Sequence, residues 1–464
     1  MTANMVAEPP ARIREAGRFS ARFVIAVAFG SVLNPVNSSI IAVALVSIGR
    51  AFGAGASQTA WLVSALYLAT AIGQPTMGRL ADLAGPRRVY LAGTVLVAAG
   101  GLIGYLAGSL ALLVVSRVVI GFGTSAAYPA AMALVRRQSQ RLHRETPGSV
   151  LGALAITSQV SMAVGPPFGG LLIALGGWRL TFLINLPLAL AGLVSVLRWL
   201  PRDEPRLDPR RGGRPAIVKT LDPAGLGLFA VALTALLVFL MDLAAPRWWL
   251  LAATAVAFAA LTARELHAQT PFIDVRLLAG NRALTTTYLR FGATMLITYC
   301  FVYGWTLWLE QAAGRSAASA GLLMMPSFAV AAVVSAAAAR LGRLWPPLVA
   351  GAAALTAGSA LLAVLRVGSP LWLLLVVSVV FGVQSGLNVV TNQAAMYAQA
   401  PAGATGAAAG LLRTFMYLGA IASASLIGLC YGREASDAGL HRLALILTAA
   451  GAVLLAVTIA DRPR

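Results

Sequence analysis

Asn34, Asn37 and Ser38 stand three and four residues apart inside an otherwise apolar run, "FVIAVAFGSVLNPVNSSIIAVALVSI". On a helix this spacing gathers them on one face, and Pro35 among them removes a backbone hydrogen bond. Similar stripes recur downstream. Tyr67, Thr70 and Gln74 form one; Arg117, Gly121, Thr124 and Tyr128 another. A third carries Thr287, Arg290, Thr294, Thr298, Phe301, Trp305 and Trp308, and a fourth Gln384, Asn388 and Thr391. Such groups donate and accept hydrogen bonds, stack on rings, and attract negative charge through guanidiniums that stay protonated. That is the chemistry of recognition, not of bond breaking.

The missing groups matter as much. Of 15 acidic residues only Asp82, Asp242 and Glu310 approach an apolar run, each at its end, and the three histidines, His143, His267 and His441, lie in loops or at run ends. No His-Glu-x-x-His, Gly-x-Ser-x-Gly or Gly-rich Lys motif is present, so neither a metal-dependent nor a serine enzyme is expected, nor ATP as a driver. Cys300 and Cys430 lack metal-ligand spacing and read as small packing residues. No metal or cofactor is expected.

The elements that hold these stripes follow from composition. Hydrophobic residues make up 59% of 464 and charged residues 11%, with a mean hydropathy of +0.82. A soluble domain carries about 25% charge, so this chain reads as an all-α integral membrane protein, because every backbone group in a bilayer must be bonded within its own segment. At about 20 apolar residues per span, fourteen spans are expected, near 20–43, 58–80, 88–107, 110–134, 149–175, 178–200, 221–242, 247–263, 283–309, 317–340, 345–366, 370–394, 403–431 and 440–460. A re-entrant hairpin within 221–263 is the alternative at the weakest place.

The net charge of +20 orients the chain and does not imply nucleic acid. With both termini placed in the cytoplasm, inside segments hold 24 Lys and Arg and outside segments seven, the positive-inside asymmetry of a multi-pass protein in the cytoplasmic membrane. The polar stretch "PRDEPRLDPRRGGRPAIVKTLDPAG" divides six spans from the rest. Domains are expected at 1–200 (six helices), 201–270 (cytoplasmic linker and two extra spans) and 271–464 (six helices), a plan of two related bundles with a binding site between them.

Polar groups at membrane depth normally face a bundle interior or a watery path. Any one stripe could be glue between helices; the five together favour a central path. Its lining is expected to include Asn34, Asn37, Tyr67, Gln74, Arg117, Tyr128, Arg290, Thr294, Trp305, Gln384 and Asn388. Buried Arg without carboxylate suits neutral or anionic amphiphiles and disfavours lipophilic cations. Arg290 lies near a helix start, and snorkelling to the surface is its other reading.

Several stretches carry a resemblance. "GRLADLAGPRR" is similar to the loop signature of the major facilitator superfamily, "LLVVSRVVIGFGTSAA" to its fourth-helix motif, and "GALAITSQVSMAVGPPFGG" to its fifth-helix antiporter motif. "GWRLTFLINLP", "TPFIDVRLLAGNRAL", "LWLEQAAGRSAASAGLLMMP" and "GAAAGLLRTFMYLGA" resemble landmarks of its fourteen-helix drug:proton antiporter branch. The likeness runs from about residue 30 to 425 and implies a secondary exporter of drugs or natural products working by alternating access, with the bilayer, a small molecule and protons as partners. It also implies a conformational gate at Gly78, Asp82, Gly85, Arg87 and Arg88, with Asp82 accepting hydrogen bonds, and at Gly165, Pro166, Gly169 and Gly170, where a smooth helix face bends. Asn37 stands where that branch usually has a carboxylate, Ile120 where it has Gln, and Ser161 where it has Gly. Proton coupling is therefore expected through Asp82 or Glu310, or not at all. An uncoupled facilitator, a lipid flippase and a non-transporting sensor of the same fold are the alternatives.

Overall fold

A computed structural model of the chain describes residues 19–142, 148–203, 222–241, 245–268, 276, 280–341, 343–400 and 405–461. The described elements are helices. We label them α1 (Ala21–Phe52), α2 (Ala56–Ala84), α3 (Pro86–Tyr105), α4 (Leu110–Arg141), α5 (Gly148–Gly176) and α6 (Leu180–Trp199). Then come α7 (Pro223–Met241) and α8 (Trp248–His267). The last set is α9 (Arg282–Gln311), α10 (Ala317–Arg340), α11 (Trp345–Leu362), α12 (Leu371–Gln399), α13 (Thr405–Tyr431) and α14 (Asp437–Ala460).

Helix starts are set by short polar side chains that take up otherwise orphaned N–H groups. Ser20 accepts from Phe23 N at 3.2 Å, Asn281 from Leu284 N at 3.0 Å, and Ser316 and Ser436 cap α10 and α14 in the same way. Inside α1, the Ser39 hydroxyl donates to the Pro35 carbonyl at 2.7 Å. Several helices outrun their apolar cores. α1 reaches Phe52, α4 reaches Arg141 and α8 reaches His267, because helical hydrogen bonding continues beyond the apolar run wherever Gly or Pro does not stop it. That extension places Glu265 on α8 with 2% exposure, a buried carboxylate not foreseen from hydropathy.

Among the described residues, twelve segments are long and apolar enough to cross a bilayer. α2 falls short because Thr70, Gln74 and Thr76 dilute its apolar content, and α5 contributes a shorter apolar helix, Val160–Gly176. Outward faces are those of a lipid-exposed bundle: Leu106, Leu175, Val333 and Val453 are exposed. Trp248, Trp249 and Trp372 are exposed at helix starts, where indole rings favour the membrane interface.

The packing repeats. α3 lies along α4, α2 along α4, α1 along α5, and α3 against α6. The same pairings recur as α11 with α12, α10 with α12, α9 with α13, and α11 with α14. The first six helices meet the last six through α2 on α13 and α5 on α10, again a matched pair. α7 and α8 pack on each other, and α7 touches both α2 and α13.

Glycines permit the α5 contacts. A Cβ at Gly165 would lie 1.8 Å from Ser39 Oγ on α1, and one at Gly170 would lie 2.5 Å from the Ala318 backbone of α10. Gly169 meets Val43 of α1 in the same way, and Gly321 of α10 lies directly against the Pro166 carbonyl. One helix thus serves two neighbours at backbone distance.

Candidate functional site

We call the end bearing the α1–α2 and α13–α14 connections the far end, and the opposite end the near end. At the far end the two sets of helices are bonded backbone to backbone. Ala56 N donates to Arg433 O at 3.1 Å and Ser57 N to Gly432 O at 3.3 Å, and the Ser57 hydroxyl reaches Gly432 O at 3.0 Å. Below this, Leu45, Ala60, Val63, Leu307, Ala424 and Ile427 surround a void of about 10 Å³, too small for any solute.

Deeper in the seam lies a cluster of tyrosines from three helices. Tyr303 of α9 donates to the Ser38 carbonyl of α1 at 2.9 Å. Its single proton is thereby spent, so in the 2.8 Å contact between hydroxyls Tyr67 of α2 is the donor. The Tyr67 ring lies 5.1 Å from Tyr299 and 5.7 Å from Tyr417 of α13, and Tyr299 stacks on Tyr303 at 5.8 Å. Nearer the other end, the Arg413 guanidinium of α13 sits 3.8 Å over the Tyr128 ring of α4, within cation–π range. Both residues are half-buried, and Tyr397 on α12 is exposed beside them. The seam is therefore a row of phenol rings, with the Arg413 cation stacked on one of them across it.

Most of the polar stripes lie elsewhere. Asn37 donates to Asn185 of α6 at 2.7 Å, and the Asn185 amide turns back to Phe182 O. Arg117, 2% exposed, donates through Nε to Leu62 O at 2.9 Å and through Nη1 to Asn37 O at 3.2 Å, while its Nη2 has no hydrogen-bond partner. These residues tie α1, α2, α4 and α6 together. Asn34 donates to Thr124 of α4 at 3.2 Å, and Gln74 is buried on α2.

The stripe expected on α9 is the clearest correction. Arg290 donates to Asn392 at 2.9 Å, to Asp461 at 3.1 Å and to Thr287 at 3.1 Å, so every guanidinium nitrogen is occupied inside the last six helices. Thr294 donates back to Arg290 O, Gln384 to Thr298, and Asn388 packs on Gly351 of α11. Trp305 stacks on Phe301, which stacks on Phe381 of α12. In this conformation these side chains tie α9, α11, α12 and α14 together. The side of α9 that faces the first six helices carries Tyr299 and Tyr303. Between them the helix widens into a π-turn, Cys300–Trp305, which takes one residue more per turn than an α-helix and shifts all later side chains relative to a regular count.

At the place of the expected loop gate the described residues show another carboxylate, Asp203. Gly85 has φ +101°, a conformation that favours glycine, and a Cβ there would meet Asp203. Asp203 accepts from Arg87 N at 3.2 Å and Arg88 N at 3.0 Å, at the start of α3, and from the Arg137 side chain at 3.2 Å. The Arg87 guanidinium donates to Leu197 O. An anion at a helix N-terminus satisfies free N–H groups and the dipole together. These contacts join α3, α4 and α6 within the first six helices. Gly78 has ordinary room beside Pro129. The side chain of Asp82 lies outside the described residues, as do Asp242 and His143.

Asp203, Asn185, Tyr299, Tyr303, Tyr417 and Arg413 were not anticipated. Two signals for them stand in the sequence: Tyr299 with Tyr303, and Arg413 with Tyr417, are each four residues apart, the spacing of neighbours on a helix face. Glu310, by contrast, was anticipated and is 5% exposed near the far end of α9, with Oε1 lacking a hydrogen-bond partner and Arg50 of α1 as its charged neighbour.

Comparison with known proteins adds the family. The family model described as Major Facilitator Superfamily matches residues 27–424. An uncharacterized MFS-type transporter of Bacillus subtilis, YwoD, is 33% identical over 446 residues, which cover 94% of this chain and 96% of that one. The tetracenomycin C resistance and export protein of Streptomyces glaucescens is 29% identical over 433 residues, 89% of this chain and 76% of that one. Among solved structures, a POT family transporter in complex with a thioalcohol-conjugated peptide aligns over 95% of this chain and 96% of its own with a TM-score of 0.70 at 14% identity. The nucleoside transporter NupG, as a mutant, aligns over 95% and 98% with a TM-score of 0.66 at 12% identity. Both share the fold.

Proposed function

The chain belongs to the major facilitator superfamily and is a membrane transporter, not an enzyme; on that premise we propose that it exports small aromatic amphiphiles through the tyrosine seam by alternating access. The observation that carries this reading is the seam itself. Tyr67, Tyr299, Tyr303 and Tyr417 meet between two matched sets of helices, and the far end above them is closed by backbone hydrogen bonds. Phenol rings offer flat apolar faces with a polar edge, which suits flat amphiphiles. Similarity to an exporter named for tetracenomycin C supports export.

The remaining elements of the proposal follow. Fourteen spans cross the membrane, α2 and α5 among them, in units 1–200, 201–270 and 271–464, supported by the recurrence of helix pairings. Both termini are cytoplasmic, supported by the positive-inside asymmetry. The described conformation is then the one closed to the outside. Glycine contacts of α5 with both α1 and α10 make α5 the bearing on which the two bundles rock. Proton coupling is assigned to Glu310, a buried carboxylate with an unpartnered oxygen at the far-end closure, in place of the carboxylate that Asn37 lacks.

Everted membrane vesicles loaded with aromatic dyes, with and without an imposed pH gradient, test the reading. Gradient-driven dye accumulation that Glu310→Gln abolishes, with dye exchange retained, is the expected result. Accumulation indifferent to the gradient would make the protein an uncoupled facilitator, and movement of lipid analogues alone would make it a flippase. Dye binding with no movement of any kind would leave a sensor.

A further inference from the structure

Among the described residues Arg413 is the cation that meets a ring across the seam, and its surroundings are unusual. Its guanidinium carbon lies over the Tyr128 ring, 3.8 Å from the centroid. Tyr417, one turn along the same helix, and Tyr397 of α12 are its other electrostatic neighbours. No carboxylate pairs with it among the described residues. The other two deep guanidiniums differ: Arg290 has Asp461, and Arg117 has two backbone carbonyls. A cation without an anion, in a site of low polarity, is held below its best partner, because a ring face attracts it less strongly than a carboxylate or sulfonate does.

The geometry adds a second point. Tyr128 belongs to α4 in the first six helices and Arg413 to α13 in the last six. Their contact therefore spans the two sets, on the near-end side of the tyrosine cluster. Both are half-buried.

We propose that Arg413 reads a negatively charged substituent on an aromatic substrate, and that the substrate anion takes Arg413 from Tyr128 and so releases this contact between the two bundles. The proposal rests on the reading of the seam as a path for aromatic compounds. The ligand class is a planar aromatic ring bearing one carboxylate, sulfonate or phenolate. The ring stacks among Tyr417, Tyr67 and Tyr299, while the anion forms the ion pair. A neutral aromatic of the same shape stacks without displacing Arg413.

Because the substrate competes with Tyr128 for Arg413, the two residues act with opposite signs. Removing the cation weakens the anionic ligand; removing the ring strengthens it. A merely structural pair gives the same sign for both. The test uses the full chain in lipid nanodiscs, with fluorescence polarisation reading the binding of pyrenesulfonate and of pyrenemethanol. Arg413→Gln is expected to weaken pyrenesulfonate by about tenfold or more and leave pyrenemethanol within about twofold, the scale of one charge-assisted contact. Arg413→Lys retains part of the preference, having the charge without the planar fork. Tyr128→Leu is expected to tighten pyrenesulfonate about threefold, since the competing cation–π contact is gone, and Tyr128→Phe to leave it unchanged. A melting curve for each variant verifies the fold.

Equal weakening of both pyrenes by Arg413→Gln, no change in either, or weakening of pyrenesulfonate by Tyr128→Leu overturns the proposal while leaving the aromatic path intact. Wild-type protein that binds neither pyrene overturns the aromatic path, and this proposal with it.

Discussion

Arg117 and Arg290 are both nearly fully buried, one in each set of six helices, and are held in opposite ways. Arg290 has an acid, an amide and a hydroxyl for its three nitrogens. Arg117 has two neutral carbonyls and a nitrogen with nothing. A buried charge that is completely answered pins its helices, as α9, α12 and α14 are pinned. One that is incompletely answered ties its helices, α1, α2 and α4, less firmly, and it lies between Asn37 and the Tyr67–Tyr303 contact, where the two sets of helices meet. The difference suggests a division of labour between a stiffened set and a set with slack beside the seam.

The comparison breaks most visibly at Asp461. Asp461→Asn leaves the Arg290 cation buried without a counter-charge and is expected to cost about 3 kcal/mol, read as a loss of thermal stability in detergent. Arg290→Met is expected to cost less, about 2 kcal/mol, because Asp461 is 39% exposed and can return to water. If the two losses are equal, burial is not what makes Arg290 a pin. Tyr303→Phe removes its bond to Ser38 O and the one accepted from Tyr67, at about 1 kcal/mol. Arg117→Met is expected to lie within about 1 kcal/mol of wild type, since the carbonyls it leaves are already engaged along their own helices. A loss as large as that of Arg290→Met would erase the distinction between the two.

A third pair lies at the membrane edge and sets the lower limit. Asp222, in left-handed conformation at φ +47°, caps α7 through Gly225 N and pairs with Arg264 at 2.6 Å. Burial pushes its carboxyl up, but the hydrogen bonds from Arg264 and Gly225 N outweigh this and hold it below the ordinary carboxylate value. A lowered folded value stabilises above the unfolded pKa of about 4 and is lost as pH falls through the folded one. With Arg264 44% exposed, the effect is expected below about 1 kcal/mol. Asp222→Asn should lower the melting temperature slightly at neutral pH, leave it nearly unchanged below the folded pKa, and so flatten melting temperature against pH across that acid window.

The membrane class, the helix series and the glycine face of α5 were legible in the sequence, because hydropathy and four-residue spacing act locally. The facing of each polar stripe was not. Asn37 reads the same whether it meets solvent or Asn185, and Gln384 the same whether it meets a ligand or Thr298; only the neighbouring helix decides. The stripe on α9 keeps one face through Cys300–Trp305, and what the sequence hid was that α12 covers that face. Asp203 escaped because it acts 116 residues away from Arg87 in sequence. Arg413 stands within an apolar run of the sequence, but its lack of an acid partner among the described residues depends on every helix around the seam.

The wide turn in α9 has a consequence for how the seam opens. A helix with one surplus residue in a turn carries a stored rotation of about 100°. Were the surplus handed to a neighbouring turn, Tyr303 would swing by that angle against Tyr299 and leave the Ser38 carbonyl, with almost no change in helix length. In the proposed cycle the Tyr303–Ser38 latch would then come undone by twisting one shaft a notch, a matter of phase and not of distance.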